Sequence, residues 1–416
     1  MLLNLRASAA AAAAAALTLA VTTIPTTTAL PSDQAAASSR ASLINQTSEA
    51  IRTLNNRFYS QQTGVYDDAW WNSANAITAM ADFAAIDLAA ANAINVGGYL
   101  RNTFVQAQKT DVRTVKAMKN GRVSSTYCLD NRGGCMAKRE FAKRGFDDFI
   151  NEFYDDEGWW ALAWIRAFDV SGDRQYLDAA VSLFKDMQTG SGTPCGGGIF
   201  WNKERKYVNS IANQLYLAVA ASLANRMPKQ PVDYLALARA QWTWFEKSGM
   251  INKNGLVNDG LDGSCKNNGL PTWTYNQGVI IGALVEMSRA SGERWLVDRA
   301  SAFADAALSS PLHGKDGILH EVDYCETKPG NCGKDGQQFK GIFIRNLRYL
   351  YRAQQRPNPK YRDFILRNAR SIWDRDRDGA AGASLLGPAW AGPYIGATGP
   401  SQSSAVDALV AAVAVA

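Results

Sequence analysis

Six apolar segments recur along this 416-residue chain, each opening on polar or aromatic residues: WWNSANAITAMADFA from 70, DDEGWWALAWIRAF from 155, YVNSIANQLYLAVAASLA from 207, TYNQGVIIGALVEM from 274, FKGIFIRNLRYLYRA from 339 and SSAVDALVAAVAVA from 403. Their starts lie 85, 52, 67, 65 and 64 residues apart, a regularity that unrelated elements would not produce. NSAN in the first and NSIAN in the third read as copies of one template. Between them run amphipathic stretches with large apolar residues at three- and four-residue steps: 41–57, 97–108 with 138–152, 173–188, 232–248, 293–308 and 359–373. Ser-Gly-Asp at 171 and Ser-Gly-Glu at 291 are expected to turn the chain and cap the following helix. No stretch alternates strictly enough to demand a long strand.

A helix apolar on every side belongs inside a protein, and one with a single apolar stripe belongs around it. The chain is therefore expected to be all-α, a single domain over 41–416 built as six helical hairpins in a closed double ring; a solenoid of the same hairpins is the alternative. In the ring the inner helices start on one face, which gathers Trp70, Asp155, Tyr207, Trp273 and Phe339 around one mouth. The tail GPSQSSAVDALVAAVAVA, interrupted by Asp407, reads as the sixth inner helix rather than an anchor signal. Residues 1–29, with Arg6 ahead of an uncharged Ala-rich stretch, read as a signal peptide, its end near Ala29 or as late as Ala37.

Export suits six cysteines and the sequon at Asn45. Cys128 with Cys135 and Cys325 with Cys332 each flank a short turn-rich loop, which leaves Cys195 for Cys265. With His313 and His320 the only histidines, and no Cys-x2-Cys pair, no metal or cofactor is expected. Phosphate-loop, dinucleotide and nucleophile-elbow motifs are missing, so carboxylates are left as the acids, bases or nucleophiles. The net charge of +6 is spread without runs, which argues against a nucleic-acid or membrane partner. A monomer acting on a neutral partner is expected.

A mouth lined by Trp70, Trp71, Trp159, Trp160, Trp201, Trp273 and Tyr275, beside Asn72, Asn209, Asn213, Asn276 and Gln277, would suit a sugar. Pyranose rings stack on aromatic faces while their hydroxyls need amide and carboxylate partners. The motif Tyr-Asp-Asp occurs twice, at Tyr66 to Asp68 and from Tyr154 to Asp156. Retaining glycosidases hold two carboxylates about 5 Å apart, which adjacent residues reach at a helix start; ordinary helix capping is the alternative reading of any such pair.

YDDEGWWALAWI, CGGGIFWN, YVNSIANQLYLAVAASLA, WTYNQGVIIGAL and FKGIFIRNL, in that order, resemble glycoside hydrolase family 76, the endo-α-1,6-mannanases and their fungal cell-wall relatives. The resemblance implies an (α/α)6 barrel and a retaining mechanism with Asp155 as nucleophile and Asp156 as general acid/base. It also implies substrate contacts for Tyr154 within the motif, for Asp259 in LVNDGLDG and for Lys340 in FKGIF. Asp67 and Asp68 have no catalytic counterpart in the family pattern. The expected function is a secreted, extracellular or wall-associated hydrolase of internal α-1,6-mannosidic bonds. A mannan transglycosylase and a non-catalytic mannan-binding wall protein remain alternatives. The 109–140 insertion is expected to shape one end of the cleft. DRDRDG at 374–379 begins like a calcium loop but reaches Leu385 where a bidentate Glu is needed, so a solvated helix end is expected.

Overall fold

The structure, a computed structural model, describes residues 31–119, 121–130, 148–228, 231–380 and 383–416. The leader expected at 1–29 and the pairing of Cys128 with Cys135 lie outside them. Outer helix α1 (Pro31–Phe58) leads to inner helix α2 (Trp70–Ile86), followed by a short α3 (Leu88–Ala93) and by outer α4 (Val96–Ala107). After the strands β1 (Asp111–Lys119) and β2 (Arg122–Asp130), inner and outer helices alternate: α5 (Tyr154–Ser171), α6 (Arg174–Gln188), α7 (Ser210–Arg226), α8 (Tyr234–Lys247), α9 (Thr274–Ser291) and α10 (Trp295–Leu308). The chain continues through α11 (Gly333–Ala353), α12 (Pro359–Arg375), the two-residue strands β3 (Arg377–Asp378) and β4 (Leu385–Leu386), and α13 (Gly399–Val415). Helices α2, α5, α7, α9, α11 and α13 each pack on the next, and α13 returns to α2. The ring is closed, an (α/α)6 barrel. That closure excludes the solenoid.

Composition explains who stands where. The inner helices are small-residue rich and α13 is buried along nearly its whole length. A Cβ on Gly341 would lie 2.5 Å from the Ser404 carbonyl oxygen, so α11 and α13 meet backbone to backbone. Outer α6 buries only Tyr176, Leu177, Ala180, Leu183, Phe184 and Met187, one helical stripe. Asp173, Asp233 and Asn358 cap the outer helices α6, α8 and α12, and Thr398 with Ser401 forms a capping box on α13.

Several sequence expectations are corrected. Gly292 ends α9 in the left-handed region, but Glu293 does not cap α10, whose start has no side-chain cap. Among the described residues the outer helix beside α2 is α4; the expected stretch at 138–147 lies outside them, and at 148–152 no helix forms, Asp148 and Phe149 having φ of 58° and 68°. Helix α11 starts at Gly333, so Phe339 and Lys340 lie within it. The 374–379 stretch is a solvated helix end at Asp374, Arg375, Arg377 and Gly379, as expected, but Asp376 within it is fully buried. Asn45 is exposed on α1, whereas Thr47 of its sequon is buried, with its hydroxyl donated to the Leu43 carbonyl.

The largest correction is a nine-residue antiparallel hairpin. β1 and β2 pair from Asp111 opposite Asp130 to Lys119 opposite Arg122. Apolar alternation is absent because the hairpin sits over a polar mouth. The overlooked signal was the Asn-Gly dipeptide at 120–121 between runs rich in Val and Thr.

At the end opposite the mouth, charges stitch the inner ring. Asp82 of α2 accepts from Arg166 of α5 and from Arg348 and Tyr349 of α11, while Arg226 of α7 joins Asp169 of α5 to Glu286 of α9. Burial would raise the Asp82 carboxyl, but the arginine charges outweigh it and hold it below its ordinary range. Its contribution is therefore present above the usual carboxylate range and lost as pH falls below it. Asp82→Asn should cost roughly 3–5 kcal/mol at neutral pH, since it leaves buried arginines uncompensated. Urea denaturation of both proteins at pH 7 and pH 3 should show the difference shrinking at the lower pH.

Candidate active site

Asp155 and Asp156 lie in the first turn of α5, whose N-cap, Phe153, provides no side-chain cap. The positive helix end therefore faces the mouth with two carboxylates on it. Lys116 of β1 reaches both: its Nζ lies 3.0 Å from Asp155 Oδ2 and 2.6 Å from Asp156 Oδ1. Oxygens bonded to one nitrogen cannot be further apart than these two contacts laid end to end. That is the retaining regime of about 5 Å, not the inverting one of about 6.5–9.5 Å. Asn151 donates to Asp156 Oδ2 at 2.6 Å, and the Tyr127 hydroxyl stands 3.4 Å from the same oxygen.

Burial pushes Asp156 up to about 7, with the Lys116 charge opposing and the Asp155 charge adding to it. Lys116 itself is held well above its usual range: burial disfavours its charge, but Asp155 and Asp156 more than compensate.

A third carboxylate, Asp259, accepts a 2.5 Å hydrogen bond from the Tyr207 hydroxyl. Burial raises it to about 6, with the charge of Asp155 contributing. Tyr275 stacks on Phe339 with centroids 4.0 Å apart. Trp71 stacks between Trp159 and Phe339 and donates from Nε1 to Asp335 Oδ1 at 2.6 Å. Trp273 Nε1 donates to the Gly121 carbonyl at the hairpin tip, and Trp201 packs on Phe153 beside Lys116. A cavity of about 320 Å³ lined by Cys195, Tyr207, Leu261 and Asn268 opens beside this wall.

The structure thus gathers Asp155, Asp156, Trp71, Trp201, Asp259, Trp273 and Tyr275. Other expected site residues serve the frame. Trp70 and Trp160 pack against each other and against Phe149 in the core, and the Tyr154 hydroxyl pairs with Thr189. Asn209 caps α7, Asn213 holds the Ile199 backbone and Gln277 holds that of Val257. Asn72 reaches the Lys334 carbonyl at 3.4 Å; Asn276 is buried with neither amide atom bonded to protein. Lys340 is enclosed, donating to the Pro388 carbonyl and pairing with Glu326.

Sequence reasoning missed Asp335 and Lys116. Asp335 falls in GKDG, ahead of the apolar segment, and Lys116 in a strand without alternation; only the tertiary fold brings them in. In the opening copy of the motif, Asp67 and Asp68 have positive φ, and Asp67 accepts from the Gly399 amide and pairs with Lys334. It is a joint between the α2 entry and α13.

Cys195 is bonded to Cys265, and Cys325 to Cys332. Gly197 and Gly198 make room for Trp244: a Cβ on either would lie 2.5 or 2.3 Å from its ring. Among the described residues the one grouping able to hold a metal is Cys325, Glu326 and Cys332, whose sulfurs are already joined.

An (α/α)6 barrel with paired carboxylates and stacked aromatics at its mouth is the architecture of a glycoside hydrolase. Residues 37–415 match the model of glycosyl hydrolase family 76, and the chain belongs to that family. It is 28% identical over 215 residues to the mannan endo-1,6-alpha-mannosidase DFG5 of Saccharomyces cerevisiae, a match spanning 46% of this chain and 44% of that protein. The chain so matched spans less than half the length of that relative. Among solved structures, the α-1,6-mannanase of Salegentibacter sp. superposes with a TM-score of 0.69 at 21% identity, over 90% of this chain and 100% of that one. An inactive variant of it with two consecutive aspartates replaced by asparagine, in complex with α-1,6-mannotriose, gives 0.68 at 20% identity, again over 90% and 100%. Dfg5 of Chaetomium thermophilum in complex with glucosamine gives 0.64 at 16% identity, over 83% of this chain and 80% of that one.

The Cys195–Cys265 bridge closes 70 residues and ties the Trp244-packed loop to the loop that carries Asp259. Replacing both cysteines by serine should cost about 2–4 kcal/mol in chemical denaturation. Hydrogen exchange should rise first in the 191–200 loop.

Proposed function

We propose that this chain is a retaining glycoside hydrolase that cleaves internal α-1,6-mannosidic bonds, with Asp155 as nucleophile and Asp156 as general acid/base. The observation that carries the reading is the carboxylate pair at the α5 start, bridged by one nitrogen. Asp155 attacks the anomeric carbon as Asp156 protonates the leaving oxygen; Asp156, now a base, then draws a proton from the water that releases the sugar. Burial keeps the Asp156 proton available near neutral pH, which an acid catalyst needs. Trp273 and Tyr275 offer stacking faces, and Asp259 and Asp335 offer hydroxyl partners. The mannan-directed names of the relatives support the substrate class, and the inactive double-aspartate variant of the bacterial neighbour supports the pair. The leader-like sequence at 1–29 and the disulfides support export to the cell exterior or wall.

Incubation with linear α-1,6-mannan tests the reading. Shorter products are expected; longer ones would make the chain a transglycosylase, and bound but unchanged polymer a lectin. Asp155→Asn should abolish turnover, whereas Asp156→Asn should lose roughly 10²- to 10⁴-fold on mannan and less with a leaving group that needs no proton. Asp67→Asn should keep the chemical step. A folded Asp155→Asn protein cleaving at the normal rate sinks the assignment.

The pH profile follows from the same pair. Asp156 must carry its proton, so kcat/KM should fall as pH rises through about 7, and Asp156→Asn should remove that limb.

A further inference from the structure

We propose that the β1–β2 hairpin is an intrachain competitor of the sugar: it fills the cleft in the resting enzyme and must leave before substrate can react. The inference rests on the glycosidase reading above. Its first support is position. Lys116 Nζ stands between nucleophile and acid at hydrogen-bond distance from both, in the space the anomeric carbon and leaving oxygen must share. Its side chain is 2% exposed.

The second support is chemical mimicry along the hairpin. The Ser125 amide donates to Asp335 Oδ2 at 2.6 Å, as a sugar hydroxyl would. The Gly121 carbonyl accepts from Trp273 Nε1 at 3.0 Å, and a cation sits between the two aspartates where a glycosyl cation-like centre would form. As a result Asp155, Trp71, Trp273, Tyr275 and Asp335 are all buried, although a polysaccharide has to reach them.

The third support is that the hairpin is a two-stranded unit ordered through its contacts with the barrel: the Thr114 amide donates to Glu152, Asn151 donates to the Thr114 hydroxyl, and Arg122 pairs with Asp323. Among the described residues it pairs with no third strand, and Val115 and Met118 are exposed. A lone two-stranded hairpin is marginal in water, so its order depends on docking, and a ligand competing for those contacts shifts the balance. At the tip Gly121 has φ of 74°, and a Cβ there would lie 2.5 Å from Pro271 Cδ. That close approach offers a way to lift the hairpin without touching the carboxylates.

The experiment compares kcat/KM on linear α-1,6-mannan for the full chain, Lys116→Met and Gly121→Val, with hydrogen exchange of 112–128 read with and without α-1,6-mannobiose. Both variants are expected to be about tenfold or more faster, and the disaccharide to increase exchange at Ser125. Should Lys116→Met fold poorly, Gly121→Val decides alone. Equal or lower rates in the variants, with the parent still cleaving mannan, would make the hairpin a working part of the site and overturn the inference while leaving the glycosidase reading intact. If no version cleaves or binds mannan, the glycosidase reading fails and this one with it.

Discussion

Every inner helix of this barrel is packed on both sides by another inner helix and from outside by an outer one, so the fold depends on close approach between helix backbones. Gly341 against Ser404 and Gly278 against Phe343 mark where a side chain would hold the ring open. Small residues let the helices meet, and the many carbon contacts this allows are individually weak but collectively large. The same packing leaves little room for a charge without a partner. At the closed end Asp82, Asp169 and Glu286 each have arginines; at the mouth Asp155 and Asp156 share Lys116.

The two ends solve one electrostatic problem differently. At the closed end, several guanidinium groups hold Asp82 and Asp169 below their ordinary range despite burial. At the mouth, burial wins over one ammonium, and Asp156 is lifted to about 7. A carboxyl poised near neutrality can give and take a proton; one surrounded by arginine cannot. The difference follows from partner number and geometry, and it separates a structural cluster from a chemically useful one.

The hairpin joins these themes. It neutralises the carboxylate pair with a cation from a segment attached to the rim. Arg122 meets Asp323 and the Asn331 carbonyl there, close to the Cys325–Cys332 bridge, while the tip leans on Pro271. An enzyme acting on a polymer needs an open groove, and aromatic faces left bare in water would form an apolar patch. A hairpin that leaves when sugar arrives, as proposed above, meets both demands.

The amino-acid sequence by itself determined the alternation of wholly apolar and one-faced helices, and with it the inner and outer rings, because a period of 3.6 residues is a local property that each segment carries alone. It also placed Asp155 and Asp156 at a helix start on the mouth side and left Cys195 and Cys265 for each other. Only the tertiary structure decided which aromatic residues of the motifs face the cleft and which fill the core. Trp71 and Trp70 are neighbours, as are Trp159 and Trp160, yet on a helix buried all round no polar face tells them apart. Asp335 and Lys116 were invisible for a related reason. Their meaning lies in contacts with Trp71, 264 residues away, and with Asp155, 39 residues away, and no local pattern records which surface a strand or a helix start will meet.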